Sequence, residues 1–585
     1  MEGHLQFTLY QRLLLIDTPI NQTRGPVPSG LAYVPLRDGF AKTASSRGLL
    51  DGVDTACVRR TRPTMPTMKT RHWGRSPCVG RNLFFDAEAD DRPGIAPRRG
   101  AQFYMSQSET LLSLGEKIQL FTSPDGACYT TFEVDGRTET HQIGGRAFES
   151  YLVRAYYQTQ GKPPNDTALR QAINTYAAKA RFDGVVHPVY VRVAGYEDRV
   201  YLDLADAECR VIEIDAGGWR LSSDVPVRFL RPAGMQPLPM PEEGGSIEDL
   251  RQFVNVEDDD DFTVIVAYLL GALRPTGPFA HLELLGEQGS AKSTTARIIR
   301  SLIDPNFSPL KAEPGSERDL AIAASNVWMP VWDNLSHMKP WMSDSMCRLS
   351  TGGGFSTRAL YTDADEKTFQ LMRPAILTAI GDVAVKGDLL DRMIILRLPR
   401  LTNNRVAEDE LWSEFSVYQP FILGALLDAV SMAIKNIDKV RLPRLPRLAD
   451  FAKWVTAGES AFGWEPGTCV EAFIANQDDS NIVVLESSFV ALMVMEVAQG
   501  DGWSGTATDL LDTLVRKASR SQSFTLPKTP GGLRSALNKL KPNLRRAGID
   551  VVFAREGMAS TRMIHIRQSS KSVGRVGVVG DGKAA

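Results

Sequence analysis

The stretch that decides the fold is Leu284-Leu285-Gly286-Glu287-Gln288-Gly289-Ser290-Ala291-Lys292-Ser293-Thr294-Thr295. The run leading into it, His281-Leu282-Glu283-Leu284-Leu285, reads as a short buried strand, and Ala296, Ile298, Ile299 and Leu302 follow at helical spacing. Strand, glycine-bearing turn, Lys-Ser and helix are the context expected of a phosphate-binding loop. There the backbone N–H groups converge at the helix N-terminus, where the helix dipole favours an anion. Gly286 and Gly289 allow the turn and the close approach of backbone to ligand, with Glu287, Gln288, Ser290, Ala291 and Thr294 completing the cradle. Lys292 is expected to reach the β/γ-phosphates of ATP, and the Ser293 hydroxyl to hold Mg²⁺. Against the usual G-x-x-x-x-G-K-[ST], Ala291 takes the place of the second glycine. Alanine disfavours positive φ, so this residue is expected to be near-helical. The plainer alternative is an ordinary glycine-bearing strand–helix turn.

Downstream, Asn326-Val327-Trp328-Met329-Pro330-Val331-Trp332-Asp333-Asn334 reads as an apolar strand ending in an acid. A carboxylate there, beside Ser293, would complete a Mg²⁺ shell in the manner of a Walker B strand. The second acid usual at such a strand end is replaced by Asn334, which cannot take a proton, so the general base lies elsewhere or hydrolysis is slow. Asp344 and Glu366 are candidates for it. The segment Leu349-Ser350-Thr351-Gly352-Gly353-Gly354-Phe355-Ser356-Thr357-Arg358-Ala359-Leu360-Tyr361 reads as a hairpin or loop. Strands at Ala375–Ile380 and Met393–Leu398 flank Asp388-Leu389-Leu390-Asp391-Arg392.

The order of these elements resembles the superfamily 3 helicase ATPases, closest to those of viral and mobile-element primase-helicases and related phage proteins. The resemblance spans roughly residues 256–399. It implies that Thr378 stands where the family has a polar sensor, usually Asn, at the end of the middle strand. It implies that Arg392 matches an arginine finger reaching a neighbouring subunit's γ-phosphate in a ring, and that Arg358 and Lys367 contact DNA from the hairpin. Taken alone, Arg392 reads equally well as a salt-bridge partner. The primase domain often found upstream in such proteins is not evident, so the chain reads as the helicase or translocase half, alone or truncated from a longer relative, with a separate primase as one candidate partner.

Upstream, residues 1–105 are charged, proline-rich and without apolar period, and are expected to be poorly ordered. Residues 106–230 read as one α+β module. Its strands fall at Ile118–Phe121, Cys128–Val134, Val189–Val193, Val200–Leu204 and Cys209–Ile214, and its helices at Gly145–Gln158 and Asp166–Phe182. Two acidic pairs there, Glu133 with Asp135 and Asp203 with Asp206, read as solvated strand and turn positions rather than metal ligands. A Pro/Gly-rich linker covers 231–255, and the acids from Glu257 to Asp261 read as the cap of the next helix. The ATPase core is then 256–400, and 401–480 is a helical lid in which Trp454 is core.

Residues 481–568 read as helix, helix and a two-stranded wing (Leu544–Phe553 with Arg562–Ile566), like a winged helix, followed by a tail at 569–585. From 501 to 585 there are 15 Lys and Arg against 6 Asp and Glu, a net +9 that leaves −11 on the rest of a chain whose total is −2. Such asymmetry is the footprint of a phosphate-backbone surface, or of a basic domain docked on an acidic body. Arg534, Lys539, Lys541, Arg545 and Arg546 are the expected backbone contacts.

Composition narrows the class. At 585 residues the chain holds roughly three to five domains. Its 43% hydrophobic and 23% charged content is ordinary for a globular protein. The six scattered cysteines, with no C-x-x-C, argue against zinc and a disulfide framework and fit a reducing cytoplasm. Apolar runs such as Val264–Leu273 fall short of the about 20 residues a membrane span needs. The expected fold is α/β: a P-loop NTPase core with an N-terminal α+β module, a helical lid and a C-terminal winged helix. The expected function is an ATP- and Mg²⁺-dependent, helicase- or translocase-like ATPase acting on DNA as a ring. The alternatives are a DNA-bound initiator or loader switch with weak hydrolysis, favoured by Asn334 and Ala291, and a small-molecule kinase, disfavoured by the basic C-terminal module.

Overall fold

The computed structural model describes residues 105–115, 118–358, 366–381, 387–402, 406–518, 523–558 and 560–569. The expectations for 1–104 and 570–585 lie outside them.

The first described helix, α1 (Gln107–Ser113), opens on a capping box in which Ser106 and Glu109 bond each other's backbone N–H. A four-stranded sheet follows, in the order β3-β2-β1-β4. Its strands are β1 (Gln119–Thr122), β2 (Cys128–Val134), β3 (Arg137–Gln142) and β4 (Val185–Val186). Helices α2 (Arg146–Gln160) and α3 (Asp166–Phe182) close its core through Phe132, Phe148, Leu152, Tyr156 and Tyr176.

After a short parallel pair, β5 (Val189–Tyr190) with β10 (Arg228–Phe229), comes a second sheet in chain order. It consists of β6 (Val193–Tyr196), β7 (Arg199–Asp203), β8 (Val211–Asp215) and β9 (Gly218–Ser222). Its apolar face (Val193, Val200, Leu202, Ile212, Ile214) belongs to the core of the central domain, not to the first sheet. The single α+β module expected from the sequence is therefore two pieces. A buried ionic cluster fastens the second one: Arg192 Nε lies 3.3 Å from Asp304 Oδ1, and its Nη1 donates to Asp203 O at 2.8 Å. Asp203 corrects a second expectation. It is fully buried, held by Arg231 through bonds of 2.7 and 2.9 Å, because a charge out of water needs a partner.

The central domain starts with α4 (Asp259–Ala272), capped as expected by Asp258, whose side chain accepts from Asp261 N at 2.8 Å. Every residue from Phe262 to Ala272 is buried, which explains a helix apolar all round. Its sheet is parallel throughout, in the order β12-β15-β11-β16, where β11 is His281–Leu285, β12 Val331–Leu335, β15 Ile376–Ala379 and β16 Met393–Arg397. Helix α5 (Lys292–Ser301) covers one face with Ile298 and Ile299. Helices α6 (Glu317–Ser325) and α7 (Pro340–Thr351) cover the other with Leu320, Met342 and Met346. Burial on both faces is the normal environment of a parallel sheet. The hairpin expected after α7 is present as β13 (Gly354–Arg358) and β14 (Glu366–Gln370), and a short α8 (Gly387–Leu390) precedes β16.

Three helices follow: α9 (Glu408–Asn436), α10 (Ala449–Gly458) and α11 (Thr468–Glu486). The stretch Glu408–Lys439 is long and apolar enough to cross a membrane, but 56% of that window is buried, with Ile422, Leu423, Leu426 and Val430 in the central core. Trp454 is core as expected, its Nε1 donating to Leu270 O at 3.0 Å. The last unit has its own core around Leu510, Leu533, Leu537, Val551 and Ile564. It contains α12 (Phe489–Val497), β17 (Trp503–Thr506), α13 (Ala507–Lys517), α14 (Pro530–Arg546), β18 (Ile549–Glu556) and β19 (Thr561–Gln568). Helix α14 runs through Pro542, so Leu544 to Arg546, expected in the wing, are helical, and the wing gains a third strand, β17, beside β19.

Candidate functional site

Strand β11 ends at Leu285 and α5 begins at Lys292, so Gly286 to Ala291 form the connection. Gly286 has φ +156°, and a Cβ there would stand 2.5 Å from Ser290 Oγ and 2.8 Å from Leu398 O, so only glycine fits. Gly289 has φ +86°. Ala291 corrects the sequence reading: at φ 61° and ψ 22° it is left-handed, not near-helical. It adopts the conformation a glycine would give, against a penalty of roughly 1–2 kcal/mol. Helix α5 has no side-chain cap, so its first N–H groups are left for another acceptor. Lys292 folds back over the loop, donating to Gly286 O (2.7 Å) and Glu287 O (2.8 Å). Burial lowers its pKa, with the nearby Asp333 opposing.

Strand topology brings the rest together. Because β15 lies between β11 and β12, Thr378 near its C-terminal end stands between the loop and Asp333. Ser293 Oγ donates to Asp333 Oδ1 at 2.8 Å, and Thr378 Oγ1 donates to the same oxygen at 2.5 Å. Thr378 Oγ1 also accepts from Asn334 N at 2.8 Å. The acid is the third of five strand residues rather than the end of a nine-residue strand, because Asn334 sits at φ 59° and breaks the register with β15. Asparagine tolerates that left-handed position better than glutamate. Asn255, which belongs to no motif and was not foreseen, clamps the loop: its Nδ2 donates to Ser290 O (3.0 Å) and Pro399 O (2.6 Å).

The other expected site residues are dispersed. Arg392 precedes β16 at the N-terminal edge of the sheet, the end away from the loop. It is 9% exposed, and its Nη1 is held by Asp388 through the main-chain oxygen (2.5 Å) and the carboxylate (2.9 Å). This guanidinium is turned into its own chain, the arrangement of the salt-bridge reading. Arg358 and Lys367 lie on paired strands β13 and β14, and their side chains fall outside the described residues. On α14, Arg534 and Lys541 flank the Phe553 ring at 4.3 and 5.6 Å, Arg545 is exposed near Asp550 (3.5 Å), and Lys539 is exposed. Arg546 is a seam residue instead of a free contact, bound to Asp478 (2.6 Å), Gln477 (3.0 Å) and Asp391 (3.3 Å).

Fold and site thus define a mixed α/β protein whose parallel sheet presents a lysine–serine loop to a half-buried Asp333 held by the buried Thr378. Residues 247–481 match the family model for the actinomycete integrative conjugative element replication protein, and residues 489–577 match the C-terminal domain of the same RepA family. The chain is a replication-related protein of a mobile element. Among solved structures it is similar to the A form apo structure of the NrS-1 C terminal region, at 10% identity and a TM-score of 0.37 over 79% of this chain and 98% of that one. A second apo structure of the same region gives 10% identity and a TM-score of 0.37 over 79% of this chain and 99% of that one. No curated protein matches the chain.

Proposed function

We propose that this replication protein is an ATPase of the helicase or translocase type that couples ATP hydrolysis to movement on the element's DNA in the cytoplasm. The observation that supports this best is the convergence of Ser293 and Thr378 on one oxygen of Asp333, beside Lys292 and an uncapped helix N-terminus. In this reading the loop amides and Lys292 bind the ATP phosphates. A hydroxyl and a carboxylate are hard oxygen donors of the kind Mg²⁺ takes, so Ser293 and Asp333 would hold it, leaving phosphate oxygens and water for its other positions. When bound, Mg²⁺ supplies charge neutralisation of the phosphates. Thr378 fixes the rotamer of Asp333, and Lys292 exchanges its two carbonyl partners for phosphate oxygens.

DNA contact is assigned to the basic C-terminal unit, whose two helices and wing support a winged-helix reading, and to the β13–β14 hairpin. A ring with a finger in trans needs either another arginine or release of Arg392 from Asp388. A separate primase is one candidate partner. The second reading is an initiator or loader switch that binds ATP but hydrolyses it poorly, and Asn334 is the observation that favours it.

The test is ATP turnover by the full chain with and without single-stranded DNA, wild type against Lys292→Ala. DNA-stimulated turnover that is lost in the variant supports the motor. ATP binding without turnover on any nucleic acid removes the motor and leaves the switch.

A further inference from the structure

The loop site lacks an acid at position 334, yet the structure holds one a strand away. Residues ahead of α6 run alongside β12 as an unassigned edge: Lys311 N donates to Val331 O (3.0 Å) and Asp333 N donates to Lys311 O (2.8 Å). This parallel bridge sets Lys311 level with Trp332. Glu313 lies two residues past the carbonyl that holds the Asp333 N–H, on the edge that flanks this end of β12.

Its environment fits a group held for use. The side chain is 26% exposed and its Oε1 is screened from solvent. The nearest cation is the ammonium of Lys339, 3.0 Å from that oxygen but outside hydrogen-bond geometry. Lys339 is the residue that opens α7, so the pair spans the end of β12 at which Asp333 and Asn334 sit. Asp344 lies exposed one turn into α7, and the side chain of Glu366 falls outside the described residues.

We propose that Glu313 is the general base of hydrolysis, standing in from the neighbouring strand for the acid that Asn334 replaces. This rests on the reading of the loop as an ATP site. In the step, a water oxygen bonds to the γ-phosphorus and the bond from that phosphorus to the β,γ-bridging oxygen breaks. Its electron pair leaves on the β-phosphate of ADP. The water's proton passes to the Glu313 carboxylate and from there to solvent, so that ADP and inorganic phosphate are the products.

The experiment uses the full chain and two measurements, retention of labelled ATP and DNA-stimulated turnover, on wild type, Lys292→Ala, Glu313→Gln, Glu313→Asp and Lys339→Ala. The expected result is that Glu313→Gln binds ATP like wild type but turns it over about 100-fold more slowly or worse, the size typical of a lost base. Glu313→Asp keeps an intermediate rate. A Glu313–Lys339 pair that only ties the edge to α7 would slow Lys339→Ala as much as Glu313→Gln, which overturns the assignment. Wild-type turnover in Glu313→Gln, or loss of ATP binding in it, overturns the assignment while the ATP-site reading stands. Wild type that binds ATP without turnover also overturns it and leaves a nucleotide switch. Wild type that fails to bind ATP takes down the loop reading itself.

Discussion

Replacing Thr378 by valine probes the junction on which the site depends. Thr378 is 1% exposed and its one hydroxyl makes two bonds, to Asp333 Oδ1 at 2.5 Å and from Asn334 N at 2.8 Å. Valine fills nearly the same volume, so the change is chemical, not a cavity. A hydrogen bond to a charged acceptor contributes about 1.5–3 kcal/mol and a neutral one about 1 kcal/mol. Asn334 lies at the surface, so water replaces part of what its N–H loses. The extra buried methyl returns about 0.8 kcal/mol. The net expectation is a loss of about 2 kcal/mol, with Thr378→Ser close to wild type. The assay is urea unfolding followed by tryptophan fluorescence, since Trp332, 1% exposed, adjoins Asp333 in β12. The comparison is made at unchanged m value. With Asp333 free to rotate, ATP turnover is expected to fall about tenfold, the equivalent of about 1.4 kcal/mol. A Thr378→Val protein with wild-type midpoint and wild-type turnover would refute the claim that this hydroxyl sets the acid.

Four further outcomes are expected. Asp304→Ala strips Arg192 and Arg300 of their buried counter-charge and the Trp328 and Met329 amides of their acceptor (2.9 and 3.0 Å), and should lower stability by about 3–5 kcal/mol in a thermal melt. Burial raises the Glu459 carboxyl from 4.5 to about 7, so its contribution is fully present below pH 4.5 and is lost as pH rises through about 7. At about 1.4 kcal/mol per unit that is about 3 kcal/mol, and unfolding midpoints near pH 5 and pH 8 should converge in Glu459→Gln relative to wild type. Ala291→Gly relieves a left-handed alanine of roughly 1–2 kcal/mol but adds unfolded-chain freedom of about 0.4–1 kcal/mol, so melting should rise slightly with ATP affinity intact. Lys539→Ala should weaken single-stranded DNA binding and reduce its logarithmic salt slope by about 0.7, whereas Arg546→Ala should lower stability and leave the slope unchanged.

The sequence was most legible where chemistry and period coincide. The loop, its lysine and serine, the acid and the threonine all meet near the C-terminal edge of the parallel sheet, where glycines, apolar runs and a polar residue mark the boundaries. It was least legible where tertiary partners decide. Strand β3, Arg-Thr-Glu-Thr-His-Gln, has no apolar residue and buries only Thr140, so no alternation announces it. Asp203 looked solvated because Arg192 and Arg231, whose groups enclose it, lie 11 and 28 residues away. Ala291 took a left-handed backbone that its own preference opposes, held by the closed loop around it. Arg392 was assigned outward by resemblance, but Asp388, one turn earlier, captures it.

The docking of the C-terminal unit decides which of its charges remain for a nucleic acid. Asp388 in α8 and Asp391 just after it are reached by three arginines from separate segments: Arg392 of the core, Arg447 ahead of α10 and Arg546 at the end of α14. A buried amide pair, Asn543 Nδ2 to Asn481 Oδ1 at 2.8 Å, joins the same seam. Exposed ion pairs contribute at most about 1 kcal/mol each, but these share acids and sit beside buried bonds, so they act together. Strand β16 then leads from this network to the loop, where Leu398 N meets Leu285 O (2.8 Å) and Leu401 N meets Gly289 O (3.3 Å). On α14 the core takes Leu533, Leu537 and Leu544, and the seam takes Arg546. Arg534, Lys541 and Arg545 follow at i, i+7 and i+11, one stripe of the helix away from both, with the Phe553 ring beneath the first two. On the reading proposed above, a phosphate backbone can therefore engage that stripe while the seam stays closed. Binding there would load α14, whose last turn is tied through Asp391 to β16, the strand paired with the one that carries the loop.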